Sequence, residues 1–536
     1  MRPAMSHFEK KYRNIIEDLS YYPMKIRKKT KFSIYVCAFI LLLPLLFFVL
    51  PSCERKPPPK KVPEDARTAT MKTQAVKPQE INLQETMLAV IPEDYEKWDF
   101  ITFSADGRQV FYGVRKKDRI FIIVASAAGE DTGRGYEGVS FFVKSPDGRR
   151  FAFGGEKGRG KHLIVDNREL KFLYHEEVAP AAFSPDGSLV ACEVGAFKEK
   201  KWFISVSDGE KEVYRSGVYP DTLRKPFFSP DGRLLVFELG DDAKQAGDKK
   251  RTVFFLDVIA KKIIKELHYA DYQAEEFSFN SDSSRVIYNI QKESGNFLVL
   301  LDFALNEERK IELPYASTRQ FALSPDGKKI VYAAMKEGKQ YLVVSTWESP
   351  AQRKESGPYE AIRPVVFSPG SSSDATIGYQ AMKRGKWRTV VGNRESAKYD
   401  GVGDAPLVFS TEGAKIAYAA KKGGHQDRRG LIGGKWVMVV SRVSNPAAVR
   451  EGTAYDMVVT PVFSPDGKYI AYRARTGTME KAKRFIVIAN TETGKVIKEG
   501  HVSDEVWPPV WSADSKAVAY GARIGKDLWW KVEVVK

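Results

Sequence analysis

PVFSPDGKYIAYRA, residues 461–474, is one copy of the unit from which most of this chain is built. An apolar run ending in an aromatic residue leads into Ser-Pro-Asp-Gly, and an apolar strand leaves it. Proline presets φ for a tight turn, the aspartate side chain bonds nearby backbone amides, and glycine accepts the left-handed conformation that closes a hairpin. Full Ser-Pro-Asp-Gly copies start at Ser145, Ser184, Ser229, Ser324 and Ser464, and degenerate ones at Ser104, Asn280, Ser368, Ser410 and Ser512. Nine intervals span the 408 residues from Asp106 to Asp514, a mean period of about 45. The aspartates of this motif are therefore turn formers, not catalytic groups.

A third apolar segment follows each hairpin, as in KWFISV at 201–206, QYLVVS at 340–345 and RFIVIA at 484–489, and a weaker polar segment returns to the next copy. Four short antiparallel strands at this period define a β-propeller blade. The fold expected is all-β, with about ten blades in a single ring; two smaller rings in tandem are the alternative. The last copy stops after its third strand, LWWKVEVV at 528–535, and TMLAVI at 86–91 stands free ahead of the first. Adding that strand to the final blade would latch the ring and cover a sheet edge. The copies resemble TolB-type propeller repeats, relatives of WD-repeat blades found in bacterial envelope proteins, over roughly residues 84–536. The resemblance implies a protein-binding propeller of the cell envelope.

The N-terminal part has another character. Residues 32–50, FSIYVCAFILLLPLLFFVL, are an apolar run long enough to cross a bilayer core. Lys25, Arg27, Lys28, Lys29 and Lys31 crowd its N-terminal side, which should stay cytoplasmic while the remainder is exported. Leu50-Pro51-Ser52-Cys53 resembles the lipobox of bacterial lipoproteins, which implies lipidation of Cys53. A start at Met24 would give a basic n-region of ordinary length; the alternative is a permanent single-pass helix. Residues 1–52 are thus expected to be a signal peptide or anchor and 53–83 a Pro/Lys-rich tether, with 84–536 the propeller on the periplasmic side of the membrane.

Composition closes several routes. Of 536 residues only three are cysteine and six histidine, and the histidines show no metal-ligand spacing, so neither a disulfide framework nor a metal centre is expected. No cofactor motif occurs: there is no P-loop, and the glycine pairs 154–155 and 423–424 fall in hairpins. A G-x-S-x-G nucleophile elbow is also missing from the sequence.

Charge is distributed unevenly. The formal charge is +17, and the ten hairpins between second and third strands together carry about +20. Arg115, Lys116, Lys117 and Arg119 lie in one such hairpin, and Lys383, Arg384 and Lys386 in another. Arg428 and Arg429 occupy a third, and Lys481, Lys483 and Arg484 a fourth. The loops entering the innermost strands instead pair a tyrosine with an acid: Glu137, Glu360, Asp400 and Asp456 each follow a tyrosine. Equivalent loops of a propeller share a face, so a basic outer ring around an acidic inner collar is expected, suited to steering a charged partner. The tyrosines are expected to pack between blades.

The function expected is that of a non-catalytic, membrane-tethered scaffold that binds envelope proteins. The alternatives are a binder of anionic envelope glycan or lipid, and a glycosidase-like enzyme using collar carboxylates. Nucleic acid is not an expected partner of an exported chain.

Overall fold

The computed structural model describes residues 80–535, apart from 95–96, 159, 171–176, 180, 197–199, 221–222, 241–249, 271–276, 293–294, 370–374, 428–429 and 479–480. The apolar run at 32–50, Cys53 and most of the tether lie outside the described residues. Residues 78–536 form one unit, and it is this unit that follows.

Ten antiparallel sheets succeed one another along the chain, each ordered from an inner to an outer strand. The first blade shows the pattern: Lys97–Phe103, Gln109–Lys116, Arg119–Ser126 and Gly129–Thr132. Its second strand is buried at Val110, Phe111, Tyr112 and Val114, whereas Gly129–Thr132 is exposed throughout. A blade is covered on both faces by its neighbours, so its middle strands must be apolar on both sides and only the outermost can be polar. Ten apolar clusters result, each shared by two adjacent blades.

The ring is single and closed. Thr86–Val90 pairs antiparallel with the third strand of blade 10, Asp527–Val534, and becomes its fourth strand. Trp530 donates its indole N–H to the carbonyl of Asn82 at 2.9 Å, and Lys531 meets Glu85 at 2.5 Å. Across the seam, Trp507 donates to the carbonyl of Ile101 at 3.1 Å and packs edge-on against Phe103. Gly107, in the turn of blade 1, has φ +71°, and a Cβ there would lie 1.8 Å from the Trp530 ring. That turn therefore rests directly on the latch.

The Ser-Pro-Asp-Gly turns behave as the sequence predicts. In blade 9, Ser464 donates to Asp466 at 2.7 Å, and Asp466 accepts from the amide of Lys468 at 3.1 Å. Ser464 Oγ also accepts from the amide of Tyr469 at 2.9 Å, and Gly467 turns back with φ +67°. The inner strands are less regular than expected. In blades 3, 7, 8 and 10 each is split in two, and in blades 1, 2, 4, 6 and 9 each carries a register shift. Several hold proline there, including Pro226, Pro364, Pro461 and Pro508. Proline is tolerated because the inner strand is an edge strand whose free side needs no ladder donor. In blade 8 the second and third strands run on well beyond the usual hairpin, so that Lys415–Asp427 and Gly430–Arg442 form one extended two-stranded ribbon.

Candidate docking face formed by the hairpins

The hairpins between second and third strands and the loops entering the inner strands lie on one face of the ring, and hydrogen bonds tie them together. Tyr136, Tyr219, Tyr399 and Tyr455 each form a single antiparallel bridge to the third strand of the preceding blade, opposite Ile120, Trp202, Trp387 and Trp436. Their rings are buried in the clusters between blades or packed against them, which is the packing role expected of them. Burial pushes the phenols of Tyr399 and Tyr455 up, so both stay protonated donors, to Glu451 at 2.9 Å and to Glu499 at 2.5 Å.

The residue after the tyrosine turns toward its own blade. Glu137 accepts the amide of Gly158 at 3.3 Å, and Glu360 accepts those of Arg384 and Gly385 at 2.8 and 3.0 Å. Asp400 accepts Gly424 at 3.2 Å and Asp456 accepts Gly477 at 2.8 Å, and Asp504, which follows Ser503 in place of a tyrosine, accepts Gly525 at 2.7 Å. Each of these acids therefore caps a hairpin tip. Two of them also bridge blades, Asp400 to Lys386 and Asp456 to Lys435, the latter at 2.5 Å. The hydrogen bond from Lys386 holds the Asp400 carboxyl below the usual carboxylate range, and Lys435 together with the Gly477 amide does the same for Asp456. The tyrosine–acid pair is thus a joint, its first residue clasping the preceding blade and its second ordering the next hairpin.

Basic residues project from several of these tips and from the hairpin of blade 1. In blade 1, Lys116 pairs with Asp94 at 2.5 Å, Arg119 donates to the carbonyl of Gly135 at 3.1 Å, and Lys117 is exposed at the turn with φ +53°. Arg115 lies beside them at the end of the second strand, half-buried. In blade 9, Lys481 and Lys483 are exposed, while Arg484 reaches the carbonyl of Asp504 at 2.6 Å. Arg428 and Arg429 lie outside the described residues.

Lys383, Arg384 and Lys386 of blade 7 are brought together with two residues that the sequence reading passed over, Arg388 and Lys398. Arg388 interrupts the apolar third strand Lys386–Val391 at a position that should be core, and that interruption was the available signal. Lys398 directly precedes the Tyr399–Asp400 pair, in a loop class marked by its acids. The five line a concavity of about 210 Å3.

No protein-family model matches the chain, and no curated protein does. Solved structures do match at low identity. A eukaryotic initiation factor aligns at 14% identity over 73% of this chain and 94% of its own, with a TM-score of 0.43. The Dos1 propeller aligns at 11% over 66% and 92%, with a TM-score of 0.37. A prolyl endopeptidase aligns at 14% over 74% and 55%, also at 0.37. By its strand pairing the chain is a ten-bladed β-propeller, closed by a strand from the N-terminal side of the first blade.

Proposed function

We propose that this protein is a membrane-tethered scaffold of the bacterial cell envelope, which captures a protein partner on the hairpin face of its propeller. The observation that carries this reading is the ordering of that face. Hairpin tips in five blades are fixed by a carboxylate from the adjoining loop, so the basic side chains they bear are held on rigid mounts. Pre-organised charged tips on one side of a ring are what a docking surface needs, because little side-chain and loop entropy is then lost on association. The state of Asp400 and Asp456 supports a non-catalytic role. Both are held ionised by lysine, whereas a glycosidase needs a carboxyl raised enough to donate a proton. Anchorage through Cys53 or through the apolar run at 32–50 would place this face in the periplasm, where the partner would be another envelope protein.

The test is crosslinking in intact cells, followed by recovery of the tagged full chain and mass spectrometry. Reversing charge at Arg428, Arg429, Lys481 and Lys483 together is expected to lower partner recovery about tenfold or more, with thermal stability changed by no more than about 0.5 kcal/mol. Recovery unaffected by the reversal would mean that these tips are only solvated edges. Recovery of the chain with no protein partner would end the scaffold reading.

A further inference from the structure

We infer that the concavity on the hairpin face of blade 7 is a binding site for a phosphate monoester or free phosphate. The inference stands apart from the scaffold reading, since it concerns one blade and a small anionic group. The lining consists of Lys383, Arg384, Lys386, Arg388 and Lys398 around about 210 Å3. All five are hydrogen-bond donors with no acceptor, so the group that fits among them must be rich in acceptors and negatively charged.

Two features of this concavity point to an anionic ligand. The first is charge left unanswered. Lys161 is met by Glu177 at 2.5 Å, Lys435 by Asp456 and Lys116 by Asp94. In the concavity, Lys386 is met by Asp400 and Arg388 by Glu395. Among the described residues no carboxylate pairs with Lys383, Arg384 or Lys398. Glu360 is adjacent, but its two oxygens accept the backbone amides of Arg384 and Gly385.

The second feature is Arg388 itself, which is only 8% exposed. Its Nη1 donates to Glu395 at 2.5 Å and its Nη2 reaches the carbonyl of Lys383 at 3.5 Å, while its Nε has no hydrogen-bond partner. A buried guanidinium donor left open is costly, and an anionic oxygen seated in the concavity would satisfy it. The planar fork of arginine suits phosphate or carboxylate, and the surrounding lysines add point charges from other directions. Five donors around one concavity favour the phosphate. It carries a charge of about −1.5 to −2 and three acceptor oxygens, where a carboxylate offers one charge and two oxygens.

The chemistry is shared by inorganic phosphate and by a phosphatidic acid headgroup, and the experiment separates them. The full chain in detergent is titrated calorimetrically, at fixed ionic strength, with inorganic phosphate and with a short-chain phosphatidic acid. Saturable binding at one site per chain is expected. Arg388→Gln should weaken it about tenfold or more. Because a buried variant can misfold, the surface pair Lys383→Gln with Lys398→Gln provides a second reading and should weaken binding comparably. Lys481→Gln with Lys483→Gln removes the same charge from blade 9 and should leave binding unchanged. Tighter binding of phosphatidic acid than of phosphate would identify a lipid headgroup as the source, and equal or weaker binding a soluble phosphate. Failure of both probes to bind would overturn the proposal, as would equal losses in the blade 7 and blade 9 pairs.

Discussion

The two faces of the ring are made from the same strands and held in opposite ways. On the turn face, hydrogen bonds run mainly within one short motif: Ser229 to Asp231 at 2.5 Å, and the amide of Leu234 back to Ser229 Oγ at 2.9 Å. Longer side chains then reach the next turn. Arg150 donates to the carbonyls of Gly187 and Ser188, Arg285 to Gly327 and Lys415 to Gly467. On the hairpin face the ordering contacts come from a loop about twenty residues away, as from Asp456 to Gly477. The motif-bound face repeats from blade to blade with the serine closing five residues on, as in blades 4, 8 and 9, and is longer in blade 7, where Ser368 accepts from Thr376. The other tolerates a four-residue hairpin in blade 7 and a long ribbon in blade 8. Local bonding yields a uniform scaffold, and non-local bonding leaves the tips free to differ, which is where binding specificity can be placed.

Three substitutions test this contrast. The largest effect is expected where the turn face meets the latch. Trp530→Ala removes a side chain 2% exposed, lying under the turn of blade 1 and bonded to Asn82. It should cost about 3–5 kcal/mol and open the seam, read as a fall in thermal midpoint and as proteolysis near residue 86. A midpoint near wild type would mean that the latch strand closes the ring without it.

Ser229→Ala is expected to be next. Ser229 is fully buried, and its loss strands the amide of Leu234, at a cost of about 1–3 kcal/mol by thermal or urea melts. Asp456→Ala should be smallest, below about 1 kcal/mol, because Lys435 is more than half exposed and its pairing is screened. Its sign with pH is defined. The folded carboxyl lies below its ordinary value of 3.8, so its contribution is present above that pH and is lost as pH falls through the lower folded value. The variant and the wild type should therefore converge in stability under acid. A cost from Asp456→Ala as large as that from Ser229→Ala would erase the distinction between the faces.

Much of this molecule could be read from its residues because its rules are local. Ser-Pro-Asp-Gly fixes a turn through φ preferences and bonds within six residues. A period near 45 then sets four strands per blade, and the unpaired TMLAVI segment announces the latch. The tyrosines before the acids were legible as packing residues for the same reason, since they recur with the repeat. The acids were legible as a set, but not in their task. That Glu360 and Asp456 cap hairpin amides depends on two loops meeting across a blade, and no spacing in the chain encodes it. The inner strands of blades 7 and 10 are split around Pro364 and Pro508, which an unpaired edge tolerates, while those of blades 1, 2 and 6 shift register with no proline.

The repeat, the turn chemistry and the blade are written in the chain, each specified within a few dozen consecutive residues, and the spare strand TMLAVI is legible ahead of the first copy. Tertiary packing fixed the single ring and the paired ribbon of blade 8. It alone placed Arg388 and Lys398 beside Lys383, Arg384 and Lys386. The physical reason is common to all three. Curvature accumulated over ten interblade contacts, pairing beyond a turn, and the meeting of a third strand with a returning loop are properties of packing, and packing is not local in the chain.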